Sequence, residues 1–266
     1  MIKTSAIIFI LVFFFFLPQK TNDMKWIIDK EDIVKKPFVI KEPIDSTPIE
    51  EVKDNVNKPI TNAWWKYPNV IYETKRSGDD LLVLVNKQYK LPSTYAPSDL
   101  VRASNSGIRR GENSYLRNIL ITDLTNMIDR AKNDGIDLSI VSGYRSYQTQ
   151  VSTYNYWLSK NNNNVEYVDT FSARPGHSQH QLGTAIDFSS SEIGDALGDS
   201  FSNTNASKWL IANAYKYGFV LSYPKGYESV TGYKYESWHY RYIGEENALE
   251  MKNRGMILDS YLRSKN

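Results

Sequence analysis

The sequence has no cysteine and only three histidines in 266 residues, and no glycine precedes Gly78. Without a thiol there is no disulfide framework, no cysteine nucleophile and no thiolate metal site, so a transition metal has only imidazole and carboxylate to bind it. Neither sign of charge dominates either, since 32 Lys and Arg against 30 Asp and Glu leave a formal net charge of +2. That balance provides no overall field to attract nucleic acid, and none is expected as a partner.

What is present is a core and an unusual N-terminus. Apolar residues make up 41% of the chain and aromatics 13%, enough for a buried interior and against disorder of the whole chain. Ala6 to Leu17 is an apolar run with four consecutive phenylalanines behind Lys3. It is short for a bilayer-spanning helix and suits the hydrophobic region of a secretory signal. Residues 1–20 are therefore expected to be a signal peptide or, because Pro18-Gln19-Lys20-Thr21 offers no small-residue cleavage site, a retained signal anchor in the membrane. The working domain is expected outside the cytoplasm, at the outer face of the membrane or in the cell wall. Residues 21–60 mix charges with Pro37, Pro43, Pro48 and Pro59, a composition that favours an extended stalk.

Residues 61–266 are expected to form a single domain. Leu116, Ile119, Leu120, Leu124, Met127, Ile128 and Ala131 share one helical face, with Ser114 as N-cap and Gly135 as terminator. Strand-like segments follow at Ile136 to Ser142, Thr184 to Phe188, Phe219 to Tyr223 and Trp238 to Ile243. Between them, helices are expected around Val151 to Leu158, ending at the asparagine run 161–164, and around Ala206 to Tyr217, ending at Gly218. Without a regular βαβ alternation, this order predicts an α+β fold, a small and mostly antiparallel sheet flanked by helices.

The histidines, His177, His180 and His239, are clustered late in the chain. In a strand over Thr184 to Phe188, Asp187 shares a face with Ala185, while Ile186 and Phe188 point the other way. Burying that carboxylate unpaired costs several kcal/mol. A divalent cation shared with His180 removes the cost; a turn cap or an arginine partner would do so equally well. In Glu236-Ser237-Trp238-His239, residues three apart face opposite sides of a regular strand. Glu236 must therefore occupy the turn before the strand if it is to meet His239 at one centre. Two histidines and one aspartate leave a zinc ion one open position, the mark of a catalytic rather than a structural site, with Glu236 as the natural general base.

The pattern Ser178-x-His180-x-x-Gly183-x-Ala185-x-Asp187 followed by Glu236-x-Trp238-His239 resembles the zinc D-alanyl-D-alanine carboxypeptidases of the VanY type. The resemblance runs from about Leu82 to Gly244 and takes in Ser142-Gly143-Tyr144-Arg145-Ser146 and Gln150. It implies that His180, Asp187 and His239 bind one Zn2+ per chain, that Glu236 is the catalytic base, and that Arg145, Gln150 and Ser178 hold the peptide terminus or polarise the scissile carbonyl. Arg145 suits either role, because a guanidinium grips an oxyanion through parallel hydrogen bonds. The family pattern gives His177 no role, so it is expected near the ligand loop or exposed, and Trp238 is expected to be a core residue behind His239.

The resemblance implies a D,D-carboxypeptidase that removes the C-terminal D-alanine of peptidoglycan stem peptides; separately, the chain is expected to be a monomer. Three alternatives remain open: an L,D-carboxypeptidase acting on tetrapeptide stems, a wall endopeptidase, and a non-catalytic binding module that keeps zinc for structure.

Overall fold

The computed structural model describes residues 63–266. The expected signal segment and the expected stalk lie outside the described residues. Within them, no helix is long and apolar enough to cross a membrane.

In chain order the strands are β1 (Tyr72–Glu73), β2 (Tyr89–Lys90), β3 (Leu100–Arg102), β4 (Tyr115–Arg117), β5 (Ser139–Ser142), β6 (Ala185–Ser189), β7 (Phe219–Leu221) and β8 (His239–Tyr242). The α-helices are α1 (Ile121–Asn133), α2 (Tyr147–Lys160), α3 (Val165–Val168), α4 (Asn205–Asn213), α5 (Glu228–Thr231), α6 (Glu245–Asn253) and α7 (Leu258–Lys265). β5, β6, β8 and β7 form an antiparallel sheet in that order, β3 and β4 form a small antiparallel pair, and β1 and β2 pair in parallel. The architecture is the expected α+β one.

Strand alternation divides the central sheet into two faces. Ile140, Ile186, Phe188, Phe219, Tyr240 and Tyr242 pack into the main core with Leu124, Met127 and Ile128 of α1 and Leu210 of α4. A second cluster joins Val220 and Ile243 to Ala248 and Met251 of α6 and to Leu258, Tyr261 and Leu262 of α7. Facing away from the main core, the register sets Ser142 beside Asp187 and Asp187 beside His239, and the Ser222 amide donates to the His239 carbonyl at 3.1 Å. One row of polar side chains therefore crosses the sheet.

The first expected helix begins later than its apolar spacing predicts. Tyr115 to Arg117 pairs with β3, and the Arg117 amide donates to the carbonyl of Gly183. Ser114 is extended rather than an N-cap, α1 starts at Ile121 without a side-chain cap, and Ile119 is 49% exposed. Leu116 is buried as expected, but from a strand. The second expected helix starts at Tyr147, where the Ser146 hydroxyl accepts from the Thr149 amide, and it ends at the asparagine run, where Asn162 and Asn163 adopt positive φ.

Candidate active site and metal centre

Each residue of the site is delivered by a local rule of the chain. His180 sits in a 3-10 turn, Gln179–Leu182, that the Ser178 hydroxyl caps by accepting from the His180 amide. Gly183 closes the turn at φ 68, in the left-handed region, so the chain can enter β6 at once. Asp187 lies on β6 beside Ala185, on the face opposite Ile186 and Phe188, as the alternation predicts. His239 opens β8 and pairs with Asp187. Glu236 occupies the turn just before β8, where its carbonyl accepts from the His239 amide and its own amide donates to the Tyr223 carbonyl. The geometric requirement placed on Glu236 is met.

His180, Asp187 and His239 converge, with one ligand atom from each lying within 4.8 Å of the others. His180 presents Nε2, 3.2 Å from Asp187 Oδ2, and His239 presents Nδ1, 2.9 Å from Asp187 Oδ1. A tetrahedral centre with ligands at ~2.1 Å separates neighbouring ligand atoms by ~3.4 Å, close to the His180 to Asp187 spacing. Both rings also have an oxygen at their other nitrogen. His180 Nδ1 donates to the Gly143 carbonyl at 2.7 Å, and His239 Nε2 lies 3.2 Å from Gln179 Oε1. Such outer acceptors fix the tautomer and direct the remaining lone pairs at one point. Gly143 has to be glycine here, since a Cβ would lie 2.6 Å from the Tyr115 carbonyl oxygen.

The electrostatics of the group are compatible with a bound cation. Burial raises the Asp187 pKa, but the neighbouring imidazoles, His180 foremost and then His239, outweigh it and hold the carboxyl well below its usual range. Burial lowers the His239 pKa against the opposing pull of Asp187. At Glu236, burial first and the Asp187 charge second push the carboxyl well above its ordinary value, with Arg145 pulling the other way. The buried Asp187 and the partly buried Glu236 repel each other, and a divalent ion between them would offset that repulsion.

Arg145, Gln150 and Ser178 line the same cavity, of about 590 Å³, as Glu236 and the three convergent side chains. Arg145 donates to Gln150 Oε1 at 2.8 Å and to Ser142 Oγ at 3.0 Å, and Gln150 donates onward to the Ala173 carbonyl. The guanidinium is thereby held between α2 and the sheet row. Burial lowers its pKa, opposed by the charges of Asp187 and Glu236.

Two expectations need correction or extension. His177 is not exposed: its Nδ1 lies 2.8 Å from the Asn86 carbonyl oxygen, and its ring meets Tyr67 edge-on, away from the convergent group. Trp238 packs against the main core and also lines the cavity. Sequence reasoning missed Gln179, Ser222 and Tyr223, whose ring centroid is 4.9 Å from that of His239. Only the placement of Gln179 inside the histidine motif could have drawn attention to it.

Two imidazoles and a carboxylate on an α+β scaffold, with a further, partly buried carboxylate beside them, define a zinc metallopeptidase. Residues 113–245 match the VanY family, described as D-alanyl-D-alanine carboxypeptidase. The chain belongs to that family.

The YodJ protein of Bacillus subtilis (strain 168), named as a carboxypeptidase, is 40% identical over 192 residues, covering 71% of this chain and 69% of its own. The structure of the LD-carboxypeptidase LdcB is similar with a TM-score of 0.66 and 36% identity, covering 74% of this chain and 92% of that one. A mutant of the vancomycin resistance D,D-pentapeptidase VanY from a VanB-type cassette, in complex with Zn(II), is similar with a TM-score of 0.57 and 29% identity, over 70% of this chain and 99% of that one.

Proposed function

We propose that this chain is a zinc-dependent D,D-carboxypeptidase that hydrolyses the bond before the C-terminal D-alanine of peptidoglycan stem peptides. The observation that carries this reading is the convergence of His180, Asp187 and His239 in one cavity with Glu236 and Arg145. His180, Asp187 and His239 would hold a zinc ion, which when bound would supply Lewis acidity toward a carbonyl and toward water at neutral pH. Glu236 accepts the proton of the attacking water and returns it to the leaving amine, acting as a general base and then as a general acid. Its Oε2 lies 3.8 Å from His239 Nδ1, beside the point where ligand atoms meet. Arg145 faces the negative charge of the reacting carbonyl or of the peptide's terminal carboxylate, with Gln150 and Ser178 as polar neighbours.

The likeness to the LD-carboxypeptidase LdcB favours a second reading, cleavage of tetrapeptide stems. Mass spectrometry after digestion of purified pentapeptide and tetrapeptide muropeptides separates the two. Loss of one alanine from the pentapeptide supports the D,D reading, loss from the tetrapeptide alone supports the L,D one, and loss from neither overturns both. The run Ala6 to Leu17 supports export as part of this proposal, and a fusion of residues 1–60 to a reporter active only outside the cytoplasm tests it.

A further inference from the structure

We propose that Gln179 is a positioning residue for the metal site: its side-chain oxygen, held in place by the Ser222 hydroxyl, takes the Nε2 proton of His239 and leaves Nδ1 free for the cation. This inference rests on the zinc reading above and concerns how one ligand is kept in the ligating form.

The two ligand histidines are controlled differently. His180 Nδ1 donates to a backbone carbonyl, which has no proton to give, so the main chain fixes that ring. His239 has an acceptor at each nitrogen: Asp187 Oδ1 lies 2.9 Å from Nδ1, and Gln179 Oε1 lies 3.2 Å from Nε2. A neutral imidazole carries one proton. On Nδ1, that proton commits the ligating nitrogen to Asp187. On Nε2, it leaves both Nδ1 and the carboxylate available, and Gln179 ensures that the buried N–H is not left without a partner.

An amide side chain can also turn over and present its NH2 group, which would set donor against donor. In the observed orientation one oxygen serves two neighbours, because the Ser222 hydroxyl also donates to Gln179 Oε1, at 2.8 Å, and holds the amide against β8. The Ser222 backbone amide donates to the His239 carbonyl at 3.1 Å, so the serine is anchored to the strand that carries the ligand. Gln179, Ser222 and His239 are all buried, at 6%, 2% and 4% exposure, so solvent does not readily supply a substitute acceptor. The turn that presents His180 thus also orients His239, through the residue just before it.

The test uses the full chain with Gln179→Met, Gln179→Glu and Ser222→Ala, measuring zinc affinity by chelator competition and the His239 tautomer by histidine-labelled 15N NMR. Gln179→Met is expected to weaken zinc binding about 10- to 100-fold, the usual effect of losing an outer acceptor. It should also move the His239 proton from Nε2 toward Nδ1 in metal-free protein. Gln179→Glu keeps an oxygen there and should stay within about threefold of wild type, while Ser222→Ala should lie between. Gln179→Met affinity within about twofold of wild type, with an unchanged tautomer, overturns the inference. Should that variant fail to fold, unchanged affinity in folded Ser222→Ala does the same. A wild-type chain that binds no zinc overturns the functional reading and this one with it, whereas tight wild-type binding with unchanged variants overturns this one alone.

Discussion

Glu236 Oε2 lies 3.8 Å from Nδ1 of His239, across a turn in which the Glu236 carbonyl accepts the His239 amide. A regular strand would have sent these side chains to opposite faces; the turn brings them to one centre. If Glu236 moves protons rather than holding metal, Glu236→Gln should retain zinc at one equivalent. Its kcat should fall by about 10²- to 10⁴-fold, the usual contribution of a general acid or base. Metal analysis with steady-state kinetics checks this, and a variant that loses zinc along with turnover would assign Glu236 to the ligand set.

Arg145 is braced by Gln150 and Ser142 and is partly buried in the field of Asp187 and Glu236. Arg145→Ala is expected to lower kcat/KM by about 10²- to 10³-fold, comparable to the loss of an oxyanion donor. Arg145→Lys should recover little, because a point charge cannot reproduce the two braced N–H groups. Separate kcat and KM values then tell the two roles of the guanidinium apart. A rise in KM alone marks a grip on the terminal carboxylate, and a fall in kcat marks charge stabilisation during reaction.

His177 offers a pH test away from the chemistry. Burial, opposed by its contact with the Asn86 carbonyl, lowers its pKa from an ordinary 6.5 to about 4. The folded value lies below the unfolded one, so the unfolded chain binds the extra proton between roughly pH 6.5 and 4, and stability falls as pH drops through that window. Between pH 7 and 5 the loss is about 2 kcal/mol. Urea unfolding of metal-free wild type and His177→Gln at both pH values should show that much less pH dependence in the variant. Equal dependence would mean that another group carries the proton.

The site was more legible in the sequence than the elements that support it. Ligand spacing is written in residue types: His180, Gly183 and Asp187 need only a turn, a left-handed glycine and a strand to take their places. The central strands were legible because Ile186, Phe188, Tyr240 and Tyr242 alternate with polar neighbours. β1 to β4, by contrast, are two or three residues long, too short for a period to register. Leu116 therefore blended into the helical stripe of α1. α6 buries only Ala248 and Met251 among nine largely polar residues, a pattern too thin to mark a helix. Gln179 and Ser222 carried no signal because their pairing joins positions 43 residues apart through the strand order of the sheet.

Zinc add-back to chelator-stripped protein tests the central claim most directly, with D-alanine release from a muropeptide ending in D-Ala-D-Ala as the readout. The structure predicts no release without metal, a rise that saturates at one zinc per chain, and no rise in Asp187→Asn, which loses the carboxylate shared by both histidines. Release at full rate from metal-free protein, or undiminished turnover in Asp187→Asn, would contradict it.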